Sequence, residues 1–384
     1  MSASMADERW ARIAWARVAE PADGQVHGWI EALGHVAAWE DLVAGRLDAP
    51  DGLLTRARSV DVDREERVLA ERGWRLLTPA DEQWPAGLHD LDRIAGPAHG
   101  APHCLWVRGP LDLGEASRRA VAMVGSRAAT SYGEQQAREL AAGVADRGWT
   151  VFSGAAFGID AAAHQGALAV DGATVAVLAC GVDQAYPRSH HALIDAIAAT
   201  GAVVSELPPG FAPLRHRFLA RNRLIAAMTS GTCVVEAGYR SGALNTARTA
   251  EALSRQLCAV PGPVTHMSSA GTHDLIRKGA TLITDAGELI DAVAPTGQGI
   301  LEEVVVADRP LDGLSPEERR VHDRLRIRRE VTVDELSRLT SFATATVLSV
   351  LGRLEVLGWA TRGPAGGWRK ARRADEAVTS AVSG

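Results

Sequence analysis

The sequence predicts a doubly wound parallel α/β sheet, preceded by an N-terminal helical segment and followed by a C-terminal winged-helix domain. Between residues 120 and 294, short apolar runs alternate with segments of helical periodicity. The run at residues 120–125 (AVAMVG) is apolar throughout, as in a parallel strand buried on both faces. Repeated strand–helix units form a right-handed sheet, and ligands of such sheets bind beyond the carboxyl ends of the strands.

The individual elements follow from the apolar runs and from the helical patterns between them. Strands are predicted at residues 73–78, 104–109, 120–125, 150–153, 174–180, 202–205, 232–236, 256–260 and 280–283. Helices are predicted at residues 134–147, 159–170, 189–199, 221–229 and 243–255.

Changes in composition divide the chain into five segments. They are a helical segment (1–66), the sheet domain (67–296), a linker with Pro and Gly (297–313), the winged-helix domain (314–373) and a disordered tail (374–384). In the first segment Trp10, Ile13, Ala14 and Val18 have helical spacing. We expect the tryptophans of this segment to serve packing rather than base stacking.

The C-terminal segment has the signals of three helices and a hairpin. Ser315 and Pro316, followed by two acidic residues, form a strong helix start, and Ser341 is predicted to cap the third helix. Residues 359–370 have the pattern of a β-hairpin. Residues 315–373 carry 13 basic and seven acidic side chains, a net charge of +6, which indicates an anionic partner.

The composition excludes several classes of protein. Of the 384 residues 46% are hydrophobic, enough for substantial cores, and the net charge of −6 excludes a uniformly basic nucleic-acid coat. None of the four cysteines has CxxC spacing, which argues against a zinc ribbon or a redox dithiol, and we expect neither a metal nor another cofactor. We find no secretory signal and no apolar run of transmembrane length, and we therefore expect a cytoplasmic protein that does not contact membranes.

Two glycine-rich turns follow predicted strands. In the first, Gly125, Ser126 and Arg127 begin a segment of small residues that lets the backbone approach a phosphate, although it matches neither GxGxxG nor GxxxxGK[ST]. The second, SGAAFGIDAAAH, places Asp160 and His164 one helical turn apart. These two are either an acid–base pair or local hydrogen-bonding groups that fix the turn, and we favour the second interpretation.

The strongest binding signal is a basic cluster. Residues 215–223 contain four arginines and Phe218 but no acidic residue, and phosphate donors beside an aromatic ring are typical of a single-stranded nucleic-acid groove. Arg188 follows Tyr-Pro at the end of the third strand of the alternating region. A further glycine-rich turn follows Glu236, and it either binds a nucleotide or shapes the same groove.

Together these segments resemble the DNA-processing protein A (DprA/Smf) family. The resemblance spans residues 74–289 and is carried by the order and spacing of MVGSR, SGAAFGIDAAAH, SELPPG, FLARNRLIAA, VVEAGYRSGALNTA, AVPGP and GTHDLIRKGATLIT. The end of the chain resembles the family's optional winged helix. The resemblance implies a Rossmann-like domain without enzymatic activity that binds single-stranded DNA and loads the recombinase RecA in natural transformation. It also implies a homodimer.

The family's motifs also imply which residues contact DNA. Arg127 matches its DNA-contacting arginine in GSR, Arg221 and Arg223 match its RNR arginines, and Arg188 stands where a basic residue is common. Two departures are Phe218-Leu-Ala, where Phe-Pro is usual, and Ala243, where a serine is usual. The predicted DNA-binding residues are Gly125, Ser126, Arg127, Gly154, Arg188, Arg217, Arg221, Asn222 and Arg223.

Two other functions remain open from the sequence. The first is a nucleotide-processing enzyme of the phosphoribohydrolase type, in which Glu236 and Asp160 are catalytic. The arginine cluster argues against it, because a small nucleotide does not need so many cations. The second is a transcription regulator, which rests on the winged helix alone. The predicted partners are therefore single-stranded DNA, RecA and a second copy of the chain.

Overall fold

The computed structural model describes residues 3–96, 99–294, 314–326, 329–364 and 366–371. The chain divides into two compact units, Met1–Ile300 and Leu301–Gly384. The linker predicted at residues 297–313 and the tail predicted at 374–384 lie outside the described residues.

The first unit is built on a nine-stranded sheet. Its strands are β1 (Arg75–Leu77), β2 (Leu105–Arg108), β3 (Ala120–Gly125), β4 (Thr150–Ser153), β5 (Thr174–Val177), β6 (Ala202–Ser205), β7 (Gly231–Glu236), β8 (Gln256–Ala259) and β9 (Thr281–Leu282). Their order across the sheet is β1-β2-β6-β5-β4-β3-β7-β8-β9. The predicted doubly wound parallel sheet is confirmed, and β1 and β2 extend it as antiparallel strands at the β6 edge.

The direction of winding reverses beside β3. From β3 the chain proceeds strand by strand to β6, then crosses back and places β7 on the other side of β3. Ligands of open α/β sheets bind at such a switch point, outside the carboxyl ends of the strands. The turns after β3, β4 and β7 therefore define the region where a site is expected.

The helices of the first unit precede the sheet or cover its faces. They are α1 (Ala3–Val18), α2 (Gly24–Leu33), α3 (His35–Val43), α4 (Asp51–Ala57), α5 (Val62–Arg72), α6 (Leu113–Arg118), α7 (Ser131–Asp146), α8 (Ile159–Leu168), α9 (His191–Thr200), α10 (Arg215–Ala227), α11 (Ala243–Ala252), α12 (Ala270–Arg277) and α13 (Ala286–Val293). Alternate residues of β3 face opposite cores: Ala122 packs with α10 and α11, whereas Met123 packs with α7, α8 and α13. Both faces are covered, which explains why β3 is apolar throughout.

The arginine-rich helix α10 begins earlier than predicted. The sequence pattern starts it at residue 221, whereas the helix begins at Arg215. The basic residues obscured its periodicity because Arg217, Arg221 and Arg223 are themselves buried, so polar positions alternate with apolar ones on the inner face. The basic cluster is thus the first nine of the 13 residues of α10.

The five N-terminal helices share a core with the sheet. Trp15 is completely buried and its ring lies edge-on to that of Trp39 at 5.4 Å, as expected for tryptophans that serve packing. The same core contains Trp106 of β2 and Val203 of β6. The boundary predicted between residues 66 and 67 falls inside α5.

The second unit has the predicted winged-helix elements, which are α14 (Pro316–His322), α15 (Val333–Thr340), α16 (Thr344–Val356), β10 (Ala360–Arg362) and β11 (Trp368–Lys370). Ser315 and Glu318 form a reciprocal capping box at the start of α14. The cap predicted for Ser341 is wrong. This residue has a φ of 59° at the C-terminal end of α15, and Ala343 precedes α16 without a side-chain cap.

Within the described part of the chain, no single helix is long and apolar enough to cross a membrane. Helices α15 and α16 reach the necessary length and composition only as a pair, and they are bent by 108° relative to each other. Their apolar residues, among them Leu336, Val347 and Leu351, form the core of the second unit.

Candidate nucleic-acid interface

A cavity of about 580 Å³ lies at the carboxyl ends of β3, β4 and β7. Its walls are the turn after β3, the start of α8, the pocket-facing side of α10 and the turn after β7. The residues that carry polar or charged groups into it are Ser126, Arg127, Asp160, Arg215, Arg221, Asn222, Arg240, Ser241 and Thr246. Four arginines and one carboxylate make the cavity strongly cationic.

The turn after β3 combines tight packing with an exposed cation. A Cβ on Gly125 would lie 2.4 Å from Ile159 of α8, so only glycine permits this approach. The Ser126 amide donates to the Glu236 carbonyl oxygen at 2.7 Å and is therefore engaged within the protein. Arg127 is exposed, and its guanidinium lies 4.9 Å from the centre of the Phe218 ring. The side chain of Arg127, rather than the Ser126 amide, faces an incoming anion.

The turn after β4 is fixed by Asp160. This carboxylate is buried and accepts hydrogen bonds from the amides of Gly154 at 3.2 Å and Ala156 at 3.4 Å. Burial raises its pKa, against the opposing charge of Arg221. His164 instead contacts the Thr174 hydroxyl at 2.7 Å, and burial lowers its pKa to about 3. Asp160 and His164 thus serve local structure, the interpretation that the sequence favoured.

Arg221 forms the cationic base of the cavity. Its Nη1 donates to the carbonyl oxygens of Gly154, at 2.8 Å, and Val177, while its Nε donates to the Asn222 side chain at 3.1 Å. Burial lowers its pKa to about 10, which leaves the guanidinium charged at neutral pH. Asn222, one position later, lines the same cavity.

Three arginines of the predicted site, Arg188, Arg217 and Arg223, do not line this cavity, and the last two are paired inside the protein. Arg217 makes a two-pronged ion pair with Glu20, at 2.9 Å from Nε and 2.6 Å from Nη2. Arg223 is 1% exposed and pairs with Glu206 at 2.5 Å. Both guanidinium groups are buried against carboxylates, so they hold α10 in place in this structure. Their predicted contact with DNA stays a prediction.

A smaller cavity of about 180 Å³ adjoins the first. Arg127 and Phe218 line both cavities, and Gly154, Phe157 and Tyr186 line the smaller one. Phe157 and Tyr186 are 48% and 43% exposed, so aromatic faces are accessible beside the cations.

Arg188 lies next to this rim. It begins a short 3₁₀ helix, Arg188–His190, directly after Pro187, which lines the smaller cavity. The Arg188 side chain is exposed.

The carboxylate of Glu236 is buried and bound to the start of α7. It is 3% exposed and accepts a hydrogen bond of 2.6 Å from the Thr130 hydroxyl, at the start of α7. The backbone amide of Thr130 also donates to both carboxylate oxygens of Glu236, each at 3.2 Å. A Cβ on Gly133 would lie 2.1 Å from it, so helix and carboxylate are in close contact. Glu236 therefore secures the N-terminus of α7.

Sequence reasoning missed two cations of the cavity, Arg215 and Arg240. Both are exposed and, among the described residues, neither has an ion-pair partner. Arg215 belongs to the basic cluster, but the cluster alone does not show which arginines face outward. Arg240 follows Glu236 in the glycine-rich GYRSG turn. No three His, Cys, Asp or Glu side chains of the described ranges are grouped as a metal site requires.

Comparison with protein families identifies both units. A family model for DNA recombination-mediator protein A matches residues 75–294, more than half of the chain. The chain belongs to the DprA/Smf family. A model of the DprA winged helix domain matches residues 305–366, which confirms the winged helix as a DprA element.

Relatives and solved structures agree with this assignment. A putative DNA processing protein DprA of Mycobacterium tuberculosis is 44% identical over 362 residues, covering 90% of this chain and 91% of the relative. Protein Smf of Escherichia coli is 42% identical over 191 residues, half of each chain. The DprA structure from Streptococcus pneumoniae superposes with a TM-score of 0.61 at 29% identity, covering 74% of this DprA-family chain and 96% of that one.

The structure of DNA processing protein A from Helicobacter pylori, which gives structural insights into the unique single-stranded DNA binding mode of that protein, has a TM-score of 0.50 at 30% identity. It covers 56% of this chain and 94% of that one.

Proposed function

We propose that the chain is a single-stranded DNA-binding protein without enzymatic activity, which protects incoming DNA and loads RecA in natural transformation and recombination. The observation that carries the proposal is the cationic cavity at the switch point. Arg127, Arg215, Arg221 and Arg240 face one carboxylate, Asp160, whose oxygen is engaged by loop amides. The single-stranded DNA binding described for the Helicobacter pylori relative supports it.

The walls of the cavity suit a flexible polyanion. Cations at the strand ends bind phosphates, and Phe157, Tyr186 and Phe218 offer ring faces on which bases stack. Stacking on an aromatic face requires an unpaired base, because a duplex keeps its bases stacked on one another. This arrangement therefore favours single strands over duplex.

The predicted residues divide into three roles. Arg127, Arg188, Arg221 and Asn222 contact the DNA strand, while Gly125, Ser126 and Gly154 shape the turns at the ends of β3 and β4. Arg217 and Arg223, whose charges are neutralised inside the protein, hold α10, the helix that carries Arg221 and Asn222. The turns and the side chains thus form one continuous DNA-binding surface at the carboxyl ends of the strands.

The wider parts of the proposal come from the family resemblance. They are loading of RecA, homodimerisation, action in natural transformation and a cytoplasmic location. A protein that holds phosphates while leaving bases partly free suits transfer of the strand to a recombinase.

The experiment is a gel shift with single-stranded and duplex DNA of equal length over a series of salt concentrations. Tighter binding of the single strand is expected, with the logarithm of affinity falling by about 0.7 per phosphate contact for each unit of log salt. Equal affinity for duplex and single strand at moderate salt contradicts the proposal. Stimulation of RecA assembly on the bound strand tests the loading step separately.

A further inference from the structure

The carboxylate of Glu20 joins the N-terminal helical region to helix α10 of the proposed DNA site. Glu20, two residues beyond the end of α1, binds Arg217 through both of its oxygens. The same carboxylate lies 2.8 Å from Nε2 of His216. Burial alone would raise the pKa of Glu20, but the hydrogen bonds from Arg217 and His216 hold it below its usual value. Glu20 is therefore a charged anchor for two consecutive residues of α10.

This anchor replaces a missing local cap. Helix α10 is preceded by Leu214, which provides no side-chain cap, and its first turn has no acidic residue. Arg215 and Arg217 instead put positive charge at the positive end of the helix dipole, where it is unfavourable. A carboxylate at this end is favourable, and Glu20 supplies it from a distant part of the chain.

A second contact joins the same two parts. The guanidinium groups of Arg17 and Arg217 both contact the Phe211 ring, each 5.1 Å from the ring centre. Arg17 is in turn paired with Glu65 of α5 at 2.9 Å. The anchor is thus part of a packed layer between α1, α5 and the loop that leads into α10.

The first turns of α10 carry a wall of the cationic cavity. Arg215, Phe218 and Leu219 line that cavity, while Arg217 points away from it towards Glu20. A shift of this end of the helix would move all three lining residues together. We propose that Glu20 is a positioning residue of the DNA site, which holds α10 so that Arg215 and Phe218 face the strand. The inference rests on the proposed function.

Electrostatics and positioning predict opposite changes in DNA affinity when the charge of Glu20 is removed. Glu20→Gln removes a negative charge near a DNA site, so electrostatics alone would strengthen binding. Positioning predicts the opposite, a loss of roughly fivefold in affinity for a fluorescent single strand. Glu40→Gln is the matched control, because Glu40 is exposed on α3 and the same charge is removed. Its affinity should equal or slightly exceed that of the parent.

Two further measurements separate positioning from simple loss of structure. Glu20→Asp keeps the charge and should bind more tightly than Glu20→Gln. Hydrogen exchange should become faster in the first turns of α10 in the Gln variant, while the strands stay protected. In a double-mutant cycle with Arg217→Gln, the double variant should bind about as well as either single one, because both changes remove the same contact.

The outcomes distinguish this inference from the proposed function. If the parent binds no single-stranded DNA, the proposed function fails, and hydrogen exchange alone decides whether Glu20 orders the helix. If the parent binds, but Glu20→Gln binds equally or more tightly, or the losses in the cycle add, then Glu20 does not position the site. Additive losses would instead indicate that Arg217 contacts DNA directly.

Discussion

The α-carbon of Gly154 lies directly against the guanidinium group of Arg221. A Cβ at position 154 would be 2.5 Å from three atoms of that group, and the Gly154 carbonyl oxygen accepts its hydrogen bond. Two residues predicted from the sequence to form the site, the glycine of the turn after β4 and an arginine of the basic cluster 215–223, are thus in direct contact.

Gly154→Ala should therefore weaken DNA binding indirectly, because the added methyl group meets Arg221 rather than DNA. The added methyl group displaces the Arg221 guanidinium from the base of the cavity, and we expect a loss of affinity of about tenfold, as for a lost hydrogen bond to a charged group. Fluorescence anisotropy on a labelled single strand measures it. Gly28→Ala is the control, because a Cβ there meets nothing within 4 Å. Parent-like binding by folded Gly154→Ala would show that Arg221 does not act from this position.

Direct removal of the cavity's cations gives a second test. Arg127→Ala and Arg221→Ala should each weaken single-strand binding by about tenfold or more, since a charged donor is lost where a bond is made. Arg127→Lys should recover only part of the loss, because an ammonium cannot replace a planar fork. Arg118→Ala is the control, since that arginine ends α6 before β3 begins, at the opposite edge of the sheet. Folded variants that bind like the parent would refute the site.

The enzymatic alternative is tested at Glu236. Glu236→Gln weakens the contacts with Thr130 and should lower the free energy of unfolding by about 1–2 kcal/mol, while single-strand binding is retained. Urea denaturation and anisotropy measure the two effects. The same protein is assayed for release of ribose 5-phosphate from nucleoside monophosphates. Hydrolysis by the parent that is lost in the variant would favour the phosphoribohydrolase.

Acid should destabilise the fold through buried histidines. Burial, aided by the charges of nearby arginines, lowers the pKa of His27 to about 4 and that of His35 to about 3, whereas the unfolded chain has the ordinary value of 6.5. Between pH 6.5 and about 4 the unfolded state binds more protons, so the free energy of unfolding falls as the pH falls. The slope is at most about 1.4 kcal/mol per pH unit for each histidine.

Urea denaturation at pH 7 and pH 5 measures this loss. His27→Gln should lose less stability between the two pH values than the parent does, because it removes one proton-binding group. An equal loss in the parent and in His27→Gln would contradict the prediction.

Truncation tests whether the winged helix is auxiliary. A chain that ends near Pro310 keeps the compact unit Met1–Ile300, with its own cores and the whole cationic cavity. We expect it to fold and to bind single strands with a smaller salt dependence, since residues 315–373, which the truncation removes, carry a net charge of +6. Circular dichroism and anisotropy measure folding and binding. A folded core that binds nothing would place the site elsewhere.

The parallel sheet was predictable because its strands are apolar on both faces, as β3 shows. The helix start at Ser315 and Pro316 was equally clear, because its signal is local. The roles of the arginines were not predictable in the same way. Arg217 and Arg223 are inward-facing and paired, and the partner of Arg217 lies 197 residues away in the sequence. A cluster of arginines in the sequence indicates an anionic partner. It does not show whether that partner is DNA or a carboxylate of the same chain.

The cavity can form only after β7 has been synthesised, because one of its walls follows β7 and β7 pairs with β3. Thr130 and Glu236, which join the turns on either side of the cavity, are 106 residues apart. Synthesis proceeds from the N-terminus, so the first glycine-rich turn leaves the ribosome long before α10 and β7. A nascent chain therefore carries one wall of the cavity before the opposite wall exists. A translation product that ends before β7 lacks part of the proposed DNA-binding site.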